Sequence, residues 1–177
     1  EYWTVEPARM LHAQNRLFAG YLGLWTASLQ RMAGMPSMPF AAPEPGDKRF
    51  NDPEWSDNQF FDFLKQFYLV TSRWAVQMVD EAKDLDEHTQ QKAAFYVRQI
   101  VNALSPSNFM FTNPEVLRET LLTDAANLVR GMQMLAEDIK AGGGTLKIRH
   151  SESSTFKLGE NIATTPGKVI HQNDLCQ

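Results

Sequence analysis

The sequence predicts a mainly α-helical fold, a compact helical bundle with a short β-hairpin or edge-strand region at its C-terminal end. Three observations carry that prediction. Apolar residues recur at spacings of three and four in successive segments between Pro7 and Ile139, the period of helices that bury one face. Prolines, glycines and capping side chains punctuate these segments where helices start and stop. After Gly142-Gly143-Gly144 the period changes to two, with Leu146, Ile148, Phe156 and Leu158 alternating with polar residues.

Between Pro7 and Met32 the first helix carries two heptad-spaced rows: Leu11, Phe18, Trp25 and Met32, then Met10, Leu17 and Leu24, with Tyr21 beside the first row. Gly20 and Gly23 each weaken it by about 1 kcal/mol relative to alanine, so packing has to hold it. Residues 34–46 contain four prolines, whose fixed φ and missing N–H exclude a helix or central strand. This stretch reads as a semi-rigid linker that separates the first helix from the rest.

Ser56 followed by Gln59 matches a capping box. The helix it predicts carries Phe60, Phe63, Leu64, Phe67, Tyr68, Trp74 and Met78, runs to about Glu81, and forms the centre of the core. Asp86 is the N-cap of the next helix, whose apolar face is Ala93, Val97, Ile100, Val101 and Leu104. Pro106 biases Ser105 away from the α region and ends it. Asn113 before Pro114 pairs an N-cap with a proline at the first helical position, and Leu117, Leu121 and Leu122 follow on one face. A further stretch, capped by Asp124 and carrying Leu128, Val129, Met132, Leu135 and Ile139, stops at the triple glycine. The pattern allows one bent helix or two over residues 113–141. Val169 and Ile170, after the Pro166-Gly167 turn, open one more strand. The division is therefore an amphipathic N-terminal helix (1–33), a proline-rich linker (34–49), a helical bundle (50–144) and a β-strand seam (145–177).

A chain of 177 residues can bury roughly 70% of its unfolded surface without metals or disulfides. Seventeen basic against twenty-one acidic residues, a net charge of −4, argue against a footprint for nucleic-acid phosphates, and no helix is rich enough in Lys and Arg to suit a DNA-binding regulator. No apolar run approaches the roughly 18 to 20 residues that cross a bilayer, and the N-terminus lacks the order of a signal peptide. The single cysteine, Cys176, has no partner within the chain. A cytoplasmic protein is expected, and the boundaries at Glu1 and Gln177 read as those of a piece of something longer.

Few residues invite chemistry. His12, His88, His150 and His171 fall on different elements without a metal-type ligand at i+3 or i+4, so neither a metal nor another cofactor is expected. The triple glycine lacks the Lys-Ser/Thr of a phosphate-binding loop. Ser107 and Asn108 suit helix-end caps, and the acidic pairs near Asp86 and Glu137 suit solvated helix starts and faces. The exception is the first helix. Leu11, Phe18, Tyr21, Trp25 and Met32 form either ordinary core or a docking face for another protein or a hydrophobic inclusion surface, and the proline linker favours the docking face.

Six blocks occur in order: Phe50-Asn51-Asp52-Pro53-Glu54-Trp55, Phe61-Asp62-Phe63-Leu64-Lys65-Gln66, Ser105-Pro106-Ser107-Asn108-Phe109, Asn113-Pro114-Glu115-Val116-Leu117-Arg118-Glu119-Thr120, Asn127-Leu128-Val129-Arg130-Gly131 and Ala163-Thr164-Thr165-Pro166-Gly167-Lys168-Val169. Together they resemble the N-terminal domain of class I polyhydroxyalkanoate synthases, over residues 47–177. The resemblance implies a parent acyltransferase that polymerises 3-hydroxyacyl-CoA into polyester and releases CoA. Its cysteine nucleophile would lie in an α/β-hydrolase-like domain outside this chain. Cys176 lacks the glycines of the nucleophile elbow, so no catalytic residue is carried over and the chain alone is expected to be inactive. The resemblance further implies domain and homodimer stabilisation, and attachment to the polyester granule or a phasin-type protein. A free-standing, phasin-like granule scaffold is the alternative.

Overall fold

The computed structural model describes residues 7–82, 85–148 and 155–167 and is mostly helical. The elements in order are α1 (Pro7–Met32), a 3-10 turn (Lys48–Phe50), α2 (Glu54–Asp57), α3 (Gln59–Asp80), α4 (Glu87–Ala103), a second 3-10 turn (Pro106–Asn108), α5 (Pro114–Leu122) and α6 (Ala126–Ala141). They divide into two units, residues 1–126 and 127–177.

In the first unit α3 is the hub, against which α1, α2 and α4 pack. Its core joins Phe61, Tyr68 and Leu69 of α3 to Phe50, Trp55 and Ala41, with Val101 of α4 and Leu117 of α5 against them. Trp55 is wholly buried, its ring edge-on to Phe50 at 5.0 Å and to Phe61 at 5.9 Å. The proline-rich segment is neither helix nor strand, as its residues require, and it is tied down along its length. Ala41 donates its N–H to Gln66 Oε1 at 3.1 Å, and Arg73 donates to the carbonyl of Ala42.

Helix α1 runs antiparallel to α3. Trp74 Nε1 donates to the Ala13 carbonyl at 2.8 Å, Tyr21 meets Thr71, and Trp25 meets Phe63. Small residues allow the close approach: Ala13 is wholly buried, and a Cβ on Gly20 would lie 2.9 Å from Val70 Cγ1. Gly34, in the left-handed region at φ 73°, closes α1 by donating to the Arg31 carbonyl, while Met35 donates to Gln30.

Several expected caps hold and two move. Asp86 accepts from Thr89 N at 3.0 Å and Asn113 from Glu115 N at 3.0 Å. Helix α3, however, starts on Asn58, which accepts from Phe60 N and Phe61 N, rather than on the Ser56 and Gln59 box. Ser56 is spent within α2, and the extended backbone of Asn58 (ψ 121°) restarts the helix two residues later. Asp124 belongs to the end of α5, not to the start of α6. It sits at φ 48° while Ala125 N donates back to the Thr120 carbonyl at 2.8 Å. Residues 113–141 thus hold two helices, separated by Asp124 and by Ala125 at φ 65°, a conformation that costs a non-glycine residue about 1–2 kcal/mol.

The apolar faces are also narrower than their sequence rows. On α4, Val97 and Val101 turn inward but Ile100 and Leu104 are exposed; on α5, Leu117 reaches the core but Leu121 and Leu122 do not. In the second unit, α6 ends in a glycine cap, with Gly143 at φ 65° donating to Lys140 and Gly144 donating to Ile139.

The expected β-hairpin is not formed among the described residues. Pairing there is limited to an isolated bridge between Leu158 and Ile162. Leu146, Ile148, Phe156 and Leu158 are all exposed, and a two-stranded ribbon with no layer to cover its apolar side is marginal in water. The Ser151-Glu152-Ser153-Ser154 turn, the strand at Val169 and Ile170, and His150, His171 and Cys176 lie outside the described residues.

Candidate functional site

The two sides of α1 have different fates. Ala13 and Leu24 are buried, and Tyr21 stacks on Phe67 at 4.9 Å while its hydroxyl meets Thr71 Oγ1 at 2.9 Å. The row Leu11, Phe18, Trp25 and Met32 stays 58%, 63%, 58% and 67% exposed. Of the five residues singled out in the sequence, Tyr21 is therefore a contact with α3 and the other four form an outer stripe. Trp25 is steadied by an edge-on contact with Phe63 at 6.4 Å, so the stripe is carried on an anchored helix.

At the C-terminal end of this stripe lies an apolar cleft of about 300 Å³, between the last turns of α1 and the first turn of α3. Trp25, Leu29 and Met32 line one side and Phe60 and Phe63 the other, with Arg31 and Asp62 beneath. Phe60 and Phe63 were read from sequence as core residues and Leu29 was not singled out; the antiparallel approach of α1 brings them to this cleft.

Below the cleft is a buried polar network that the hydrophobic pattern did not disclose. Asp62, Lys65 and Gln66 are 4%, 4% and 3% exposed. Arg31 of α1 pairs with Asp62 Oδ2, which also accepts from Gln66 Nε2 at 2.6 Å. Lys65 Nζ lies 3.1 Å from Asp62 Oδ1, an ion pair without a hydrogen bond's angle, and donates to the Trp55 carbonyl at 2.6 Å and to Ser56 Oγ at 3.3 Å. Gln66 returns to the proline-rich segment through Ala41. One polar cluster therefore joins α1, residue 41, α2 and α3. The signal available in sequence was three polar residues at i, i+3 and i+4 in an otherwise aromatic helix.

A second clasp holds α5. Arg118 pairs with Asp52 and, at 2.9 Å, with Glu54, and its hydrogen bond holds the Asp52 carboxyl below the usual carboxylate range. Arg49 likewise lowers Asp47, donates to Tyr68 at 2.8 Å and stacks over the Phe50 and Tyr68 rings. The Ser105-Pro106 turn is all capping: Asn108 Nδ2 donates to the carbonyls of Asn102 and Ala103, and Asn113 Nδ2 to Ser107. Asp52, Asp62, Asn108 and Arg118 fall in four of the six ordered blocks read from the sequence, and in those four they serve the architecture. Among the described residues no group of three or more His, Cys, Asp or Glu is placed to hold a metal ion, and no helix is long and apolar enough to cross a membrane.

A sequence profile described as the poly-beta-hydroxybutyrate polymerase (PhaC) N-terminus matches residues 46–177. The chain belongs to that family. It is 56% identical over 177 residues to the "Poly(3-hydroxyalkanoate) polymerase subunit PhaC" of Rhizobium meliloti (strain 1021), covering all of this chain and 29% of the relative. Identity is 49% to the "Poly(3-hydroxyalkanoate) polymerase" of Methylorubrum extorquens, over the same shares. It is 31% to the PhaC subunit of Cupriavidus necator, over 98% of the chain and 28% of the relative. The chain thus spans less than a third of the length of these polymerases. No solved structure is detectably similar to it.

Proposed function

We propose that this chain is the non-catalytic N-terminal region of a polymerase that joins 3-hydroxyacyl units from CoA thioesters into polyester. It stabilises the enzyme and its dimer, and attaches it to the polyester granule or a phasin-type protein in the cytoplasm. The nucleophile belongs to an α/β-hydrolase-like domain that residues 145–177 lead into. The observation that carries attachment is the outer stripe of α1: Leu11, Phe18, Trp25 and Met32 are more than half exposed on a helix whose other side is fastened to α3. Exposed aromatic side chains offer large apolar area, and flexible methionine adapts to irregular apolar surfaces. A free-standing scaffold gains no support, since the similar proteins named above are polymerases over three times as long.

Removing residues 1–40 is a poor test, because α1 covers α3 and carries the Arg31 partner of buried Asp62. Point changes on the stripe avoid that. Phe18→Glu with Trp25→Glu in the full polymerase should leave its helical content intact and reduce granule or phasin binding; unchanged binding to both, and an unchanged dimer, rejects the assignment.

A further inference from the structure

Helix α6 has an apolar face that the described residues leave largely uncovered. At 100° per residue Leu128, Met132, Leu135 and Ile139 form one stripe, with Arg130, Gln133 and Glu137 opposite. Met132 is 65% exposed, Leu135 40% and Ile139 39%. Leu146, Ile148 and Phe156 in the same unit are exposed too, and no described residue of that unit is buried. At the edge of the stripe Gly131 interrupts a helix that alanine would favour, yet nothing lies within 4 Å of where its Cβ would stand. It is a notch without a neighbour.

We propose that this face of α6 is the docking surface for the remainder of its own polypeptide, the portion of the longer polymerases that this chain does not match. The inference rests on reading the chain as the stabilising N-terminal region. A unit whose described residues bury nothing needs cover in water at every protein concentration, and a covalently continuous partner meets that condition where a second copy or a granule does not. More than two thirds of the polymerase length is available for the role. The outer stripe of α1 differs, because it stands on a unit with its own core and can afford a partner that comes and goes.

The test compares the 177-residue chain with the full polymerase, each carrying Cys176→Ser and either Met132→Cys or Gln133→Cys. Maleimide labelling of each new thiol is followed by peptide mass spectrometry. Met132→Cys should label at least tenfold more slowly in the full polymerase than in the short chain, independently of protein concentration, while Gln133→Cys labels equally in both. Equal labelling of Met132→Cys in both proteins overturns the proposal. So does protection that fades on dilution, which assigns the face to a second copy, or equal protection of both positions. Gel filtration after proteolytic cleavage between the two parts separates the failures. Parts that stay together with Met132→Cys open refute only the α6 assignment; parts that fall away refute the stabilising role as well.

Discussion

Trp74 of α3 donates its indole N–H to the carbonyl of Ala13 on α1 at 2.8 Å, beneath a face where Ala13 is wholly buried. That bond fastens the N-terminal helix at the end remote from the Arg31 and Asp62 pair, with the Tyr21 and Thr71 contact between them. Trp74→Phe keeps most of the apolar area and removes the donor. It should cost about 1 kcal/mol in urea unfolding. An unchanged midpoint would mean the bond contributes nothing to holding α1.

The two mid-helix glycines of α1 should respond in opposite directions. Alanine at either gains about 1 kcal/mol of helix propensity. At Gly20 the new methyl meets Val70 Cγ1, on a stiff β-branched side chain inside α3, and overpacking of about 1–3 kcal/mol outweighs the gain. At Gly23 it meets the far end of the half-exposed Phe40 ring, which can swing aside. Gly20→Ala should lower the thermal midpoint and Gly23→Ala leave it level or raised; the reverse order contradicts the observed packing.

The buried network should be strongly non-additive. Asp62→Leu leaves buried Lys65 without its counter-charge, at about 3 kcal/mol, and Lys65→Met costs less, because Asp62 keeps Arg31. The double change Asp62→Leu with Lys65→Met removes both buried charges and should cost at least about 1 kcal/mol less than the sum. Additivity in a double-mutant cycle would show that the two residues do not act on one another.

The Asp52 and Arg118 clasp sets a pH dependence. Hydrogen bonding to Arg118 lowers the folded carboxyl below its unfolded value of about 3.9. Its contribution is fully present above that unfolded value and is lost as pH falls through the lower folded one. Asp52→Asn keeps an acceptor for Glu54 N, so it isolates the charge. Its thermal midpoint should lie below that of the native chain at neutral pH and converge with it in strong acid. A gap that stays constant across that range refutes the clasp.

Helix ends written in a single local signal were legible in the sequence: Asp86, Asn113-Pro114 and the triple glycine act as read. Where two caps compete, local rules ran out. Ser56 and Asn58 are both good caps, and the α2 turn over Trp55 consumes the first. Asp124 can cap a helix start or close a helix end, and here its left-handed backbone closes α5. The outer stripe of α1 and the inward row of Met10, Leu17 and Leu24 were both visible as heptad rows, but the close approach to α3 was not, because Ala13 and Gly20 make their contacts by being small. The alternation after residue 145 failed as a hairpin for the complementary reason: period two records a face that wants cover, and among the described residues none is supplied.

The most direct measurement is granule co-sedimentation of the full polymerase carrying Phe18→Glu and Trp25→Glu, with Leu121→Glu, a change at an exposed site off α1, as control. The pelleted fraction of the double variant should fall at least fivefold while the circular dichroism spectrum and the control stay at the native level. A double variant that pellets like the native enzyme, with phasin binding and dimer also unchanged, would contradict the assignment of the outer face of α1 as the attachment surface.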